Sequence, residues 1–265
     1  MSQRILIYIS PEEYLVRERA AEYKSEYLNG EIFAMTGASR QHNRITVNIS
    51  SSLNTQLRGR DCEVYAVDMR LKVRASGLYT YPDVAVACGE PKFEDNELDT
   101  LLNPTVLFEV LSQSTERYDR MGKTFYYRSI ESLAEHVLVA QHKVHVEQYV
   151  RQASGEWLFI EYDSPEQIVT LASIDCSLQL TDVYDKVKFD PTTVSADDDK
   201  EDVNRKSGIA YAAAFSLFAS VVAGLIIGWL LDRWLGTSPW LLVAGIVLGS
   251  AAGLYEFVRS TAKIS

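Results

Sequence analysis

The 265-residue chain carries 26 Lys and Arg against 36 Asp and Glu, a formal net charge of -10 with pI about 5.0. That balance excludes an overall basic field that would draw the protein onto nucleic acid, so any contact with a polyanion must be local. Three widely spaced cysteines, Cys62, Cys88 and Cys176, form no metal or redox motif and suit buried thiols in a reducing compartment.

The N-terminus, MSQRILIYIS, lacks a basic region followed by a long apolar core, so the chain is expected to start in the cytoplasm. Ser10, Pro11, Glu12 and Glu13 combine a capping hydroxyl, a first-turn proline and first-turn acids, which predicts a helix to about Lys24. Asn29-Gly30 inside Tyr27 to Met35 predicts a tight hairpin. A second helix is expected from about His42 to Leu57, with Ile45, Ile49, Leu53 and Leu57 on one face. Strands follow at Glu63 to Ala66, Met69 to Val73 and Tyr79 to Val86, and Gly89 to Asn103 reads as a solvated acidic loop. Ser112 and Thr115 offer caps for a helix through about Ser129, on which Asp119, Lys123 and Tyr127 sit four apart and share a face. His136 to Ala140, Val144 to Val150, Trp157 to Tyr162 and Ile168 to Leu171 complete a mixed sheet, and Asp182 to Val187 closes the domain.

Two acids in this pattern are costly. Asp83 follows Pro82 in YPDVAVA, and Glu109 lies inside NPTVLFEVL, both within nearly continuous apolar runs that read as strands covered on both faces. A carboxylate is rarely kept in such a place unless it is paired or holds a metal. Magnesium, which takes hard oxygen ligands, is the expected partner, with manganese as its substitute. Lys123 follows close behind, to hold a phosphate or to help deprotonate a water. His42, at a helix start, either faces the same site or only hydrogen-bonds backbone. His136, His142 and His145 show no ligand spacing. Arg40, Arg44, Arg58, Arg60, Arg70, Lys72 and Arg74 are the candidate local contacts to DNA.

These motifs resemble the PD-(D/E)xK nucleases and, more closely, the Uma family of restriction-endonuclease-like proteins. The similarity runs from about Tyr8 to Phe189 through ISPEEYL, AAEYKSEYLNGEIFAMTGAS with His42, LYTYPDVAVACGEP, LLNPTVLFEVLSQSTERYDR and LASIDCSLQLTDVYDKV. The resemblance implies an α/β mixed sheet flanked by helices and a magnesium-dependent endonuclease acting on DNA, possible as a homodimer. It makes Asp83 and Glu109 the two acids of the motif and Glu31 a further metal acid. The position two after Glu109, lysine in the general motif, is Leu111 here; in the Uma family the lysine comes from the following helix, where Lys123 stands. Asp119, Tyr127 and His42 would support the site.

After this domain (1–190) comes an acidic linker (191–206) and then a different composition. Gly208 to Leu231 holds no charge over about 24 positions, enough for a helix across a hydrocarbon core of about 30 Å, and Trp240 to about Val258 is a second such run. The expectation is a two-helix transmembrane hairpin over 207–260, with Gly224, Gly228, Gly245, Gly249 and Gly253 at close-packing spacing and both termini on the cytoplasmic side of the inner membrane. This tail resembles the two-span AtpI/AtpZ proteins of F-type ATP synthase, through GWLLDRWLGTSPW and the glycine series. That resemblance implies ATP-synthase subunits as partners and, as the alternative function, an assembly or ion-supply factor carrying a silent nuclease-like domain. Asp232 either contacts an ion or subunit or pairs with Arg233.

Overall fold

The computed structural model describes residues 8–35, 37–112, 115–189, 220–227, 229–236 and 239–261, which fall into two compact units, Met1–Asp190 and Pro191–Ser265. In the first unit, α1 (Pro11–Ala20) starts where Ser10 accepts the Glu13 N–H and stops four residues short of the expected Lys24. The hairpin β1 (Ser25–Leu28) and β2 (Glu31–Ala34) turns at Asn29 and Gly30, both with positive φ; the Gly30 Cα faces the Tyr8 ring so closely that no Cβ fits. Helix α2 (Arg40–Gln56) is capped by Ser39 and buries Ile45, Ile49 and Leu53, the stripe its spacing predicts.

The remaining strands are β3 (Cys62–Ala66), β4 (Arg70–Val73), β5 (Leu78–Thr80), β6 (Val84–Cys88), β7 (Thr100–Leu101), β8 (Val106–Leu111), β9 (Glu135–Ala140), β10 (Val146–Arg151), β11 (Trp157–Tyr162), β12 (Ile168–Leu171) and β13 (Cys176–Gln179). They form a six-stranded mixed sheet, β11-β10-β9-β8-β6-β3, a five-stranded sheet, β2-β1-β5-β4-β7, and the hairpin β12-β13. Only β8–β9 and β4–β7 run parallel. The mixed α/β sheet of the sequence reading is therefore present.

One expected strand is two. The run from Tyr79 to Val86 breaks at Tyr81-Pro82-Asp83, with β5 in one sheet and β6 in the other. Proline has no N–H to give a ladder, so the chain changes sheets where pairing would fail in any case. The helix expected after Glu109 is mostly a π-turn, Tyr118–Lys123, continued by α3 (Thr124–Tyr127), and the acidic loop contains β7. Helix α4 (Leu180–Val183) ends the domain.

The cysteine reading also needs correction. Cys62 and Cys88 lie directly opposite in the β3–β6 ladder and are joined by a disulfide, with Cα atoms 4.0 Å apart; Cys176 is a free, buried thiol. Separation in sequence carried no information about strand register.

One face of the large sheet packs Val84, Val86, Val106, Phe108, Val110, Val137 and Val139 against Ile45, Ile49, Leu53 and Leu57 of α2. The opposite face packs Ala85, Ala87 and Leu107 against Leu71, Val73 and Leu78 of the smaller sheet and Tyr127, Ile130 and Leu133. By strand alternation Asp83 and Glu109 share this second face, between the two sheets.

In the second unit, residues 220–227 and 229–235 are helical and α5 spans Trp240–Thr261. Among the described residues no helix is long and apolar enough to cross a membrane. That finding overturns the expected multi-pass location in the inner membrane. Within its 22 residues α5 includes Gly245, Gly249, Ser250, Gly253, Glu256 and Arg259. The linker 191–206, the start of the first apolar run (208–219) and Gly228 lie outside the described residues, whereas Gly224 is in the helix 220–227 and Gly245, Gly249 and Gly253 are in α5. Asp232 is buried and accepts the N–H groups of Leu241 (3.1 Å) and Leu242 (2.9 Å), so it caps the start of α5.

Leu53 is fully buried beneath the β6–β8 face, and Leu53→Ala should destabilise the first unit by about 2–5 kcal/mol in urea unfolding.

Candidate active site

Four carboxylates, one ammonium, one phenol and one imidazole meet between the sheets. Lys123 Nζ lies 3.0 Å from Glu26 Oε1, 3.2 Å from Asp119 Oδ1 and 3.4 Å from Glu109 Oε1. Glu109 Oε1 also accepts the Tyr127 hydroxyl at 2.6 Å, and Glu26 Oε1 accepts that of Thr80 at 2.5 Å. Asp83 belongs to the same constellation through β8: its Oδ2 accepts the N–H of Val110 at 2.7 Å, and its Oδ1 is 3.1 Å from His42 Nε2.

Local structure explains how these groups arrive. Glu109 is the middle of a strand whose six residues are all buried. Asp83 sits in the break between β5 and β6, where the sheet change leaves it beside Val110. Asp119 and Lys123 come from the π-turn, in which Thr124 N–H and Oγ1 both bond the Asp119 carbonyl, five residues back. The wider turn keeps both side chains directed at Glu109, and π-turns are often found at functional sites. Gly122 makes room for the Tyr118 ring, which would collide with a Cβ there.

Burial sets the electrostatics. Glu109 is 3 %, Asp119 3 % and Lys123 5 % exposed. Desolvation pushes the Glu109 carboxyl well above the usual range, with Asp119 and Asp83 adding repulsion and only Lys123 and Tyr127 opposing. Asp119 is raised for the same first reason. For Lys123 desolvation works the other way, yet Glu109, Asp119 and Glu26 together hold the ammonium well above its ordinary value. Tyr127 is raised by burial and by Glu109, so it keeps its proton and donates a hydrogen bond to that carboxyl group. Behind it His136, wholly enclosed between the rings of Tyr127 and Tyr149, falls to about 3 and stays neutral.

The donor set fits a hard divalent cation. Its acids exceed its cations, the oxygens are those magnesium prefers, and Asp119 Oδ1 is buried with no hydrogen bond, only its ion pair. The oxygens ring the ammonium and do not form a tight trio.

Of the residues expected from the sequence, Asp83, Glu109, Lys123, Asp119, Tyr127 and His42 are together. Glu31 is not. It is exposed on β2 opposite Leu28, and the hairpin acid in the cluster is Glu26. Glu26 lies in a strand with the burial sequence intermediate, buried, buried, intermediate, and no periodicity marks it as the inward acid. Of the candidate DNA contacts, Arg44 pairs with Asp185, Arg60 holds the carbonyls of Ile174 and Asp175, Arg70 is buried on Tyr81 and Thr100, and Lys72 pairs with Glu94. Arg40, Arg58 and Arg74 are exposed.

Residues 11–182 match the family Uma2, described as "Putative restriction endonuclease". The chain belongs to the Uma2 family. Two uncharacterized proteins of Synechocystis sp. are relatives: sll1609 is 42% identical over 149 residues, 56% of this chain and 84% of that one, and slr1290 is 35% identical over 181 residues, 68% and 94%. A solved structure titled "a putative nuclease belonging to DUF820 from Anabaena variabilis" shares the fold, with TM-score 0.54 at 19% identity over 66% of this chain and 97% of that one. Outside the Uma2 domain, residues 208–260 match "Putative F0F1-ATPase subunit Ca2+/Mg2+ transporter". "ATP synthase protein I" of Rhodospirillum rubrum is 42% identical over 52 residues, 20% of this chain and 42% of that protein.

Two predictions follow from the charge balance of this Uma2 site. Lys123→Met leaves four acids without their ammonium and should destabilise the first unit by about 3–5 kcal/mol at pH 7.5 in chelator, the loss shrinking as pH falls and the acids protonate. Glu109 has its pKa raised by folding, so ionising it opposes folding from the ordinary carboxylate range, about pH 4, up to its raised folded value. Glu109→Gln should therefore match wild type below about pH 4 and exceed it by roughly 0.5–2 kcal/mol at pH 7.5 in urea unfolding with chelator.

Proposed function

We propose that this Uma2 domain is a divalent-metal-dependent endonuclease hydrolysing DNA phosphodiester bonds, of the PD-(D/E)xK type. The observation that carries the reading is the buried excess of carboxylate around Lys123, since Asp83 and Glu109 are placed at an energetic cost that folding alone does not explain. Asp83 and Glu109 would hold magnesium or manganese. The ion, when bound, supplies positive charge for the scissile phosphate and lowers the pKa of a coordinated water.

The chain's own residues then have separate tasks. Val110 N–H and His42 fix the two oxygens of Asp83. Tyr127 fixes Glu109. Lys123, held protonated by its three acids, serves as a cation for the charge developing on phosphate, and its raised pKa argues against a role as base. Glu26 and Asp119 keep the ammonium in place, with Thr80 anchoring Glu26.

The full chain incubated with supercoiled plasmid and magnesium should give nicked or linear products. EDTA, Asp83→Ala and Glu109→Ala should each lower the rate at least 100-fold. A folded wild type that cuts no faster than these variants refutes the reading.

A second role rests on a separate observation, the match of residues 208–260 to the ATP-synthase-associated family. We propose that this segment contacts F-type ATP synthase subunits, as an assembly or ion-supply module.

A further inference from the structure

The large sheet carries a second convergence of ligand atoms, on the same face as Glu109. Strands β10 and β11 pair Glu147 directly with Glu161, and like charges in that position destabilise a sheet unless a cation stands between them. His145, two residues before Glu147, places Nε2 3.2 Å from Glu147 Oε1. Its Nδ1 is 2.5 Å from Asp163 Oδ1. His145 and Glu147 are buried and Glu161 is exposed; one ligand atom from each lies within 4.8 Å of the others, the only such set of three among the described residues.

Nearby charges leave the cluster negative. Arg120, from the π-turn, bridges Glu116 and Glu147, and Tyr149 donates to Glu147 Oε2 at 3.3 Å. Glu116, Glu147, Glu161 and Asp163 thus face one guanidinium and one imidazole, an excess of acid even when the imidazole is protonated. Arg120 keeps Glu116 as a partner if Glu147 turns to another cation.

We propose that His145, Glu147 and Glu161 bind a divalent transition metal of the zinc or manganese kind. Imidazole with carboxylates suits such ions, whereas an all-oxygen set suits magnesium. Asp163 is a positioning residue. By engaging Nδ1 it leaves Nε2 toward Glu147, the relay in which a carboxylate orients a metal-binding histidine. The exposed side at Glu161 opens the site to solvent and to an exogenous ligand. It is separate from the Lys123 cluster: Glu109, Leu138, Glu147 and Glu161 follow one another across β8, β9, β10 and β11, so Leu138 stands between the two groups of acids. No ligand spacing announced His145 in the sequence because its partners come from two strands joined by a hairpin.

The test uses the full metal-free chain titrated with cobalt(II), whose visible absorption reports nitrogen and oxygen ligation without any assay of DNA cleavage. With excess magnesium present to take the all-oxygen Asp83–Glu109 site, one equivalent should bind. His145→Ala and Glu161→Gln should each weaken Kd at least tenfold, and Asp163→Asn by about 10–100-fold. Asp83→Ala should leave this signal unchanged, which separates it from the nuclease reading. Glu161 is exposed, so its variant should fold as wild type does, checked by circular dichroism. Absence of cobalt(II) binding by the folded wild type, or binding that neither His145→Ala nor Glu161→Gln weakens, overturns the site.

Discussion

The ammonium of Lys123 is the group on which the arrangement between the two sheets depends. It is buried, and it is within 3.4 Å of Glu26 on the smaller sheet, Glu109 on the larger one and Asp119 on its own turn. Each of those carboxylates would be untenable alone at that depth, and a lone buried ammonium would be equally so. The three elements therefore require one another. The turn that presents Asp119 and Lys123 is a π-turn, in which Thr124 is bonded to the Asp119 carbonyl five residues back. Tyr127, one short turn later, closes the set from the same side.

The same balance separates stability from activity. Burial, and then the excess of carboxylate over cation, holds Glu109 and Asp119 above their ordinary pKa, so ionising them opposes folding at neutral pH. Apolar packing elsewhere compensates, chiefly the valine face of the large sheet on α2. A site built only for stability would not keep that imbalance. Membership of Uma2, described as "Putative restriction endonuclease", points the same way.

What could be read from the sequence follows from energetic cost. Asp83 and Glu109 stood out because they interrupt apolar runs, and α2 because its isoleucines and leucines recur at helical spacing. Glu26 did not stand out. Two acids flank the Asn29-Gly30 turn, and which arm of the hairpin is inward is decided by the pairing of β1 with β5 at Tyr27 and Tyr79, a contact between residues far apart in the chain. Family resemblance favoured Glu31, and the register favours Glu26. The Cys62–Cys88 bond was hidden for the same reason, since it depends on which residues of β3 and β6 are opposite. The sheet change at Pro82 was foreshadowed by the proline, yet the residues on either side of Pro82 and Asp83 both read as strand, so nothing in them assigned the two halves to different sheets. In the tail, hydropathy alone suggested two spans, whereas among the described residues no helix is long and apolar enough to be one.

Charge shapes how a polyanion could reach such a site. With a net charge of -10 the chain repels DNA at long range, and four of the seven candidate DNA contacts (Arg44, Arg60, Arg70 and Lys72) are engaged by acids, carbonyls or hydroxyls of its own. The face that carries Asp83 and Glu109 continues through Leu138 to Glu147 and Glu161, so it carries two groups of acids side by side. Divalent ions held at the proposed sites would reverse that sign locally, turning a repulsive strip into an attractive one. Encounter and chemistry would then depend on the same metal, and a metal-free chain would be inactive partly because its substrate is held off. Screening by salt would weaken the long-range repulsion more than the short-range attraction to bound metal. Moderate ionic strength should therefore hinder this chain less than it hinders a basic nuclease, whose affinity rests on counterion release alone.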